Sequence, residues 1–227
     1  MKCFDMTAAS TGVTEATAKS MKLKYEKIYT FSPSHAGYYP GAQFLTIKLI
    51  FDTVFGRILG AQLVGYEGVD KRCDVLATAI RAGLTIHDLT ELELAYAPPY
   101  SSAKDPVNMA GYVASNVAEG LIDIFHLDEI PQIGVKQGFL LDVRTANEFS
   151  RGAIPNAVNI PVDELREHLD ELPKDRTIYV YCQIGLRGYI ASRILAAHGF
   201  QVKNLSGGYR LYDLVKNTKT DKPNCGY

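Results

Sequence analysis

The 227-residue sequence has no excess of charge of either sign. Its 24 lysines and arginines stand against 25 aspartates and glutamates, a formal net charge of −1. General nucleic-acid and membrane-surface binders need a basic excess, so neither partner is expected. No apolar run approaches the ~20 residues that span a bilayer. The opening Met1-Lys2-Cys3-Phe4-Asp5 lacks the apolar core of a signal peptide, so a cytoplasmic protein is expected. Cysteine is scarce and scattered. Cys3, Cys73, Cys182 and Cys225 form no Cys-x-x-Cys pair and no local Cys/His cluster. That argues against a structural zinc site and against a disulfide framework in a reducing compartment, and no metal is expected. Also missing is Gly-x-Gly-x-x-Gly, the fingerprint with which a strand–turn–helix unit holds a dinucleotide. There is no internal repeat and no low-complexity tract.

What is present reads as ordinary globular protein, with 47% apolar and 22% charged residues. Compact domains most often have about 100–150 residues, so two are expected, dividing near residue 120. Before that point, Thr14–Lys19 suits a short helix capped by Ser10, Thr11 or Thr14. Lys24–Ser32, Phe44–Phe51 and Ile58–Gly65 suit strands, the last two joined by a turn at Phe55-Gly56-Arg57. Val69–Ala82 places Cys73, Leu76, Ala77 and Ile80 at helical spacing and ends at Gly83, which makes Cys73 a core residue. The adjacent prolines of Tyr96-Ala97-Pro98-Pro99-Tyr100 impose an irregular loop, and Val107–Glu119 suits a closing helix.

After residue 120 the rhythm changes. Phe139–Val143, Ala157–Ile160, Thr177–Tyr181 and Val202–Leu205 are short apolar or β-branched runs. Helical stretches lie among them at Val162–Leu169, Gly188–His198 and Tyr209–Lys216. Alternation of short apolar strands with helices implies a doubly wound parallel sheet covered on both faces. The residues from 217 to 227 read as a loose tail, and Cys3 and Cys225 fall near flexible ends.

One stretch carries chemistry. A buried strand ends at Tyr181, a helix begins near Gly188, and Cys182-Gln183-Ile184-Gly185-Leu186-Arg187 must curl from one to the other. In such a loop successive backbone N–H groups face the sulfur, and the helix N-terminus adds positive potential. Arg187 supplies a full charge at the rim, and Gly185 and Gly188 allow tight curvature. The arrangement suits a sulfur nucleophile that becomes negatively charged.

Residues 121–216 resemble the rhodanese family. Its leading motif is matched by Leu141-Asp142-Val143-Arg144, with Glu148-Phe149, then by Ile154-Pro155 and Ala157-Val158-Asn159-Ile160-Pro161. Its active loop is matched by Cys182–Arg187, and its closing motif by Leu205-Ser206-Gly207-Gly208-Tyr209. Ala153 and Asn156 depart from the family's common His and Gly. The resemblance implies a sulfurtransferase in which Cys182 carries sulfur as a persulfide, taken from a small-molecule donor and passed to a thiol acceptor. Arg187 would assist, and the loop residues Gln183, Ile184, Gly185, Leu186 and Gly188 would form the cradle. Asp142, Arg144 and Glu148 are read as structural, organising the cradle through a buried ion pair. Related phosphatases and arsenate reductases have a loop one residue longer.

Residues 1–117 resemble the dimerisation domain of the flavin- and pyridine-nucleotide-dependent disulfide reductases, a mixed α+β domain. The matching runs are Ala9–Glu15, Gly56–Gly65 and Gly68-Val69-Asp70-Lys71-Arg72. Tyr96–Asn108 points to the coenzyme A disulfide reductase and persulfide reductase branch. The resemblance implies a homodimer in which tyrosines reach the partner's active site. Tyr38 or Tyr39 and Tyr96 or Tyr100 are the matching candidates. It also implies a longer parent protein that uses FAD, NAD(P)H and coenzyme A, with none of these cofactors bound by this chain itself. The alternative reading is a non-catalytic fragment that dimerises and binds a thiol carrier.

Overall fold

In a computed structural model, which describes residues 1–134 and 137–220, the chain forms two compact units, Met1–Gly120 and Leu121–Tyr227. The first is built on an antiparallel sheet. Strands β1 (Lys2–Cys3) and β2 (Met6–Gly12) open it, followed by helix α1 (Glu15–Ser20) and strands β3 (Tyr25–Pro33), β4 (Phe44–Asp52) and β5 (Ile58–Gly65). The strand order is β1-β2-β5-β4-β3. Of the three possible caps for α1, Thr14 is used, accepting from the Thr17 amide. The turn before β5 is held by Asp52, whose carboxylate accepts from the amides of Val54, Phe55 and Arg57. Helices α2 (Val69–Ala82), α3 (Ile86–Glu91) and α4 (Pro106–Ala118) complete the unit, with Gly83 closing α2 at φ +73°.

Two expectations change here. Cys3 lies in β1 in register with Met6, although exposed. The buried line of α2 is Val69, Arg72, Leu76 and Ala79, which leaves Cys73 half-buried. An arginine reads as a surface residue in a sequence. Arg72 turns inward because it meets Asp105, 33 residues away, in an ion pair whose side chains are both 2% exposed.

The second unit is a five-stranded parallel sheet of order β6-β10-β9-β7-β8. In chain order its elements are β6 (Ile124–Phe125), α5 (Ile130–Ile133), β7 (Phe139–Asp142), α6 (Ala146–Ser150), β8 (Val158–Asn159), β9 (Ile178–Tyr181), α7 (Leu186–Ala197), β10 (Val202–Leu205) and α8 (Gly208–Thr220). Alternate residues of β9 enter opposite cores. Ile178 and Val180 pack with Leu141, Ala191 and Leu195, whereas Tyr179 and Tyr181 pack with Phe125, Ile133 and Leu140. Cys182 continues this alternation on the side of Ala191 and Leu195.

The helix expected at Val162–Leu169 is instead a string of turns, with a 3-10 turn at Leu169–Glu171. Its amides bond three residues back, Glu164 to Pro161 and Glu167 to Glu164. These turns still bury Val162, Leu165 and Leu172, so the apolar spacing is met without an α-helix. Helix α8 runs four residues beyond the expected tail boundary, to Thr220. The rest of that tail, with Cys225, lies outside the described residues.

Candidate active site

The cradle forms where the apolar run of β9 stops. Cys182 is 1% exposed, and its sulfur accepts from the Gly185 amide at 3.1 Å. Gly185 adopts φ +114°, which lets the chain turn sharply between sulfur and helix. Next come the amides of Leu186, Arg187 and Gly188, the first turn of α7, which have no acceptor among the described residues. A helix start leaves such donors free for an anion. Ile184 is half-buried, and Leu186 stands exposed at the rim.

The closing motif holds this loop from below. The Tyr209 and Arg210 amides, at the start of α8, donate to the carbonyls of Cys182 and Gln183 at 2.8 and 2.9 Å. Gly208 makes the approach possible. It sits at φ +60°, and a Cβ there would lie 2.6 Å from the Cys182 carbonyl oxygen. Thus the first amides of α8 fix the loop that feeds α7.

Asp142 and Arg144 form the expected buried ion pair, 0% and 2% exposed at the side chain. Arg144 Nη2 and Nε donate to Asp142 at 2.7 and 3.0 Å, and Nη2 also reaches the Gly152 carbonyl. Burial alone would lower the Arg144 pKa, but its bonds to Asp142 hold it above the usual arginine range. The guanidinium lies over the Tyr209 ring at 3.9 Å, and its Nη1 donates to Gln183 Oε1 at 3.3 Å. The pair therefore touches both the loop and the closing motif.

Glu148 stands outside that buried pair. It belongs with Arg187, which it binds through both oxygens at 2.7 Å. Arg187 holds the Glu148 carboxyl down to about 2, helped by the Thr145 amide and hydroxyl. In return Glu148 raises Arg187, with Cys182 also contributing. The rim charge is thus half-exposed and partly offset by a carboxylate.

In the first unit, the structure brings two of the four tyrosines together. The exposed phenols of Tyr38 and Tyr96 lie 3.2 Å apart, and that hydrogen bond raises the Tyr38 pKa. Tyr39 instead meets His35 edge-on, and Tyr100, on the same loop as Tyr96, is exposed. Sequence reasoning missed what joins the two loops. Arg72 Nη2 donates to the Ser34 carbonyl at 2.8 Å and to Ser101 Oγ at 3.4 Å while paired with Asp105. The Ala36 amide completes the junction by donating to the carbonyls of Pro98 and Ser101. No group of three or more His, Cys, Asp or Glu side chains suited to a metal occurs among the described residues. Among the same residues, no helix is long and apolar enough to cross a membrane.

A parallel sheet with a cysteine loop at a strand end, preceded by an antiparallel sheet unit, defines the class. Residues 1–106 match the pyridine nucleotide-disulphide oxidoreductase dimerisation domain and residues 127–213 the rhodanese-like domain, and the chain joins one of each. It is similar over 96% of its length to the Bacillus anthracis CoADR-RHD structure, at 52% identity and TM-score 0.93, spanning 39% of that chain. It is similar over 93% to a NAD-dependent persulfide reductase from A. fulgidus, at 47% identity and TM-score 0.83, spanning 38% of that chain. A coenzyme A disulfide reductase from Staphylococcus haemolyticus is 46% identical over 117 residues, which are 52% of this chain and 26% of the relative. The chain therefore spans about a quarter to two fifths of the lengths of these proteins.

Proposed function

We propose that this chain transfers sulfane sulfur through Cys182, in a protein whose first unit pairs two copies of the chain. The observation that carries the reading is the Gly185 amide on Cys182 Sγ, in a short loop opening onto the free amides of α7. With thiosulfate, the Cys182 sulfur attacks the outer sulfur of the donor. A new S–S bond forms, the donor's S–S bond breaks, and sulfite leaves with the electron pair. The resulting persulfide carries its negative charge on the outer sulfur, where backbone amides hold it without a proton. A thiolate acceptor then takes that sulfur, and the Cys182 thiolate is the leaving group. This is covalent catalysis in two steps. The loop from Cys182 to Arg187 has the length of sulfurtransferases, one residue short of the related phosphatases.

The named relatives support a coupled role in a longer protein. In it, the rhodanese-like unit loads or hands over sulfane sulfur, and reductase domains that use FAD and NAD(P)H remove it, with coenzyme A persulfide as the shuttle. The sequence holds no Gly-x-Gly-x-x-Gly, so both dinucleotides are assigned in this reading to the parent's other domains. Tyr38 and Tyr96, held as a pair, are the tyrosines proposed to reach the partner's site.

The test is intact-mass measurement after thiosulfate treatment. The wild-type chain should gain one sulfur atom and turn cyanide into thiocyanate. Cys182→Ser should do neither, while Cys3→Ser and Cys73→Ser keep both. Absence of any sulfur on the wild-type chain would leave a thiol-carrier-binding module instead.

A further inference from the structure

Behind the cradle lies a side chain that the mechanism has not yet used. Asn204, on β10, is 6% exposed, and its Nδ2 donates to the Gly185 carbonyl at 3.2 Å. Its Oδ1 is buried without a hydrogen-bond partner among the described residues. The amide cannot be turned over, because that would set its oxygen against the Gly185 carbonyl oxygen. A half-satisfied amide in the interior is a poor stabilising device, since a leucine of similar shape would leave nothing unpaired. Asn204 also governs its neighbour. A Cβ on Gly188 would lie 2.1 Å from Asn204 Oδ1. Gly188 is the third residue of α7 and has no positive φ, so it is glycine for space and not for curvature, which corrects the expectation for that position.

We infer that Asn204 is the positioning residue of the cradle, acting through the Gly185 carbonyl, and that Gly188 is glycine to admit it. This rests on the sulfur-transfer reading above. The geometry runs as a chain of constraints. The Gly185 carbonyl accepts from Asn204 and from the Tyr189 amide at 2.8 Å. In a trans peptide the C=O and N–H point in opposite directions. Fixing the Gly185 carbonyl toward the sheet therefore aims the Leu186 amide the other way, out of the helix start. The preceding peptide carries the Gly185 amide that meets Cys182 Sγ. One buried side chain thus braces the peptide whose Leu186 amide opens outward and, through Gly185, the one whose amide meets the sulfur.

The experiment compares Asn204→Leu, which keeps the approximate shape and loses the donor, with Asn204→Ala, which removes the amide altogether, so one folded variant suffices. Deleting a whole oxyanion-type donor costs about 10²–10³ in turnover, and turning one away should cost less, about tenfold. Both variants should load Cys182 from thiosulfate about tenfold more slowly, with the loss in kcat and little change in KM. Their Gly185 and Leu186 amide resonances should shift. Gly188→Ala, ordinarily favourable inside a helix, should impair loading strongly alone and far less in the Asn204→Ala background. Wild-type loading by a folded Asn204→Leu, with both amides unmoved, overturns the inference. If the wild-type chain itself never loads, the sulfur-transfer reading fails, and the anchor is judged on those two amides alone.

Discussion

Arg144→Met isolates what the buried ion pair contributes. The substitution keeps the apolar stem and removes the guanidinium. Asp142, fully buried, then loses three side-chain bonds of 2.7–3.0 Å and keeps the bond of about the same length from the residue 144 backbone amide. The Gly152 carbonyl and Gln183 lose a donor as well. Breaking a buried pair by removing one partner costs about 3–5 kcal/mol, because the remaining charge is left desolvated. For a unit of about 100 residues each kcal/mol moves the midpoint by roughly 4–8 °C, so the second unit should melt at least roughly 12 °C lower. Calorimetry of the full chain measures this, with the first unit's transition as an internal control. The double variant Asp142→Leu/Arg144→Met removes both charges and should recover most of the loss, since apolar replacements of buried pairs are often neutral or better. Its sulfur loading should stay impaired, because the Gln183 side chain and the Gly152 carbonyl still lack the guanidinium. If Arg144→Met costs under about 1 kcal/mol, the carboxylate is reached by water and the pair is not the desolvated anchor described here.

Glu148 gives a pH signature. Its carboxyl is depressed to about 2 by Arg187, so its contribution is present above the ordinary carboxylate range and is lost as pH falls toward 2. Discounted for solvent screening of a side chain 30% exposed, that contribution is about 1 kcal/mol. The stability gap between wild type and Glu148→Gln, read from urea midpoints, should be open at pH 6 and closed near pH 2. A gap that does not change with pH contradicts the assignment. Gly208→Ala forces a side chain onto the Cys182 carbonyl at a positive φ, so persulfide loading should fall at least tenfold, and unchanged loading would show that α8 does not hold the loop. Sedimentation equilibrium should find a homodimer, and a monomer at micromolar concentration would count against the pairing role given to residues 1–106.

Much of the second unit is written locally. Runs such as Ile178–Tyr181 declare a strand by composition, and the six residues from Cys182 to Arg187 declare a strand-to-helix loop by their two flanks. Cys182, Arg187 and the loop glycine Gly185 were therefore legible. The doubly wound sheet followed from the alternation of such runs with helices, and the Gly83 stop and the turn at Phe55-Gly56-Arg57 from residue types with fixed local roles. Thr14, by contrast, was one of three caps the sequence allowed, and Asp52 emerged only in the structure. The exceptions were also local: Val162–Leu169 has helical spacing, yet turns bury the same side chains.

Tertiary structure decided everything that depends on partners distant in sequence. Glu148 meets Arg187 across 39 residues, Arg72 meets Asp105 across 33, and Tyr38 meets Tyr96 across 58. Asn204 reaches back 19 residues to Gly185 and makes its demand on Gly188 from the neighbouring strand. Periodicity reports only which side of an element faces inward. A charged or amide side chain on the inward side becomes tolerable only once the fold delivers its partner, and that partner's identity is set by strand order and register, which no local pattern contains.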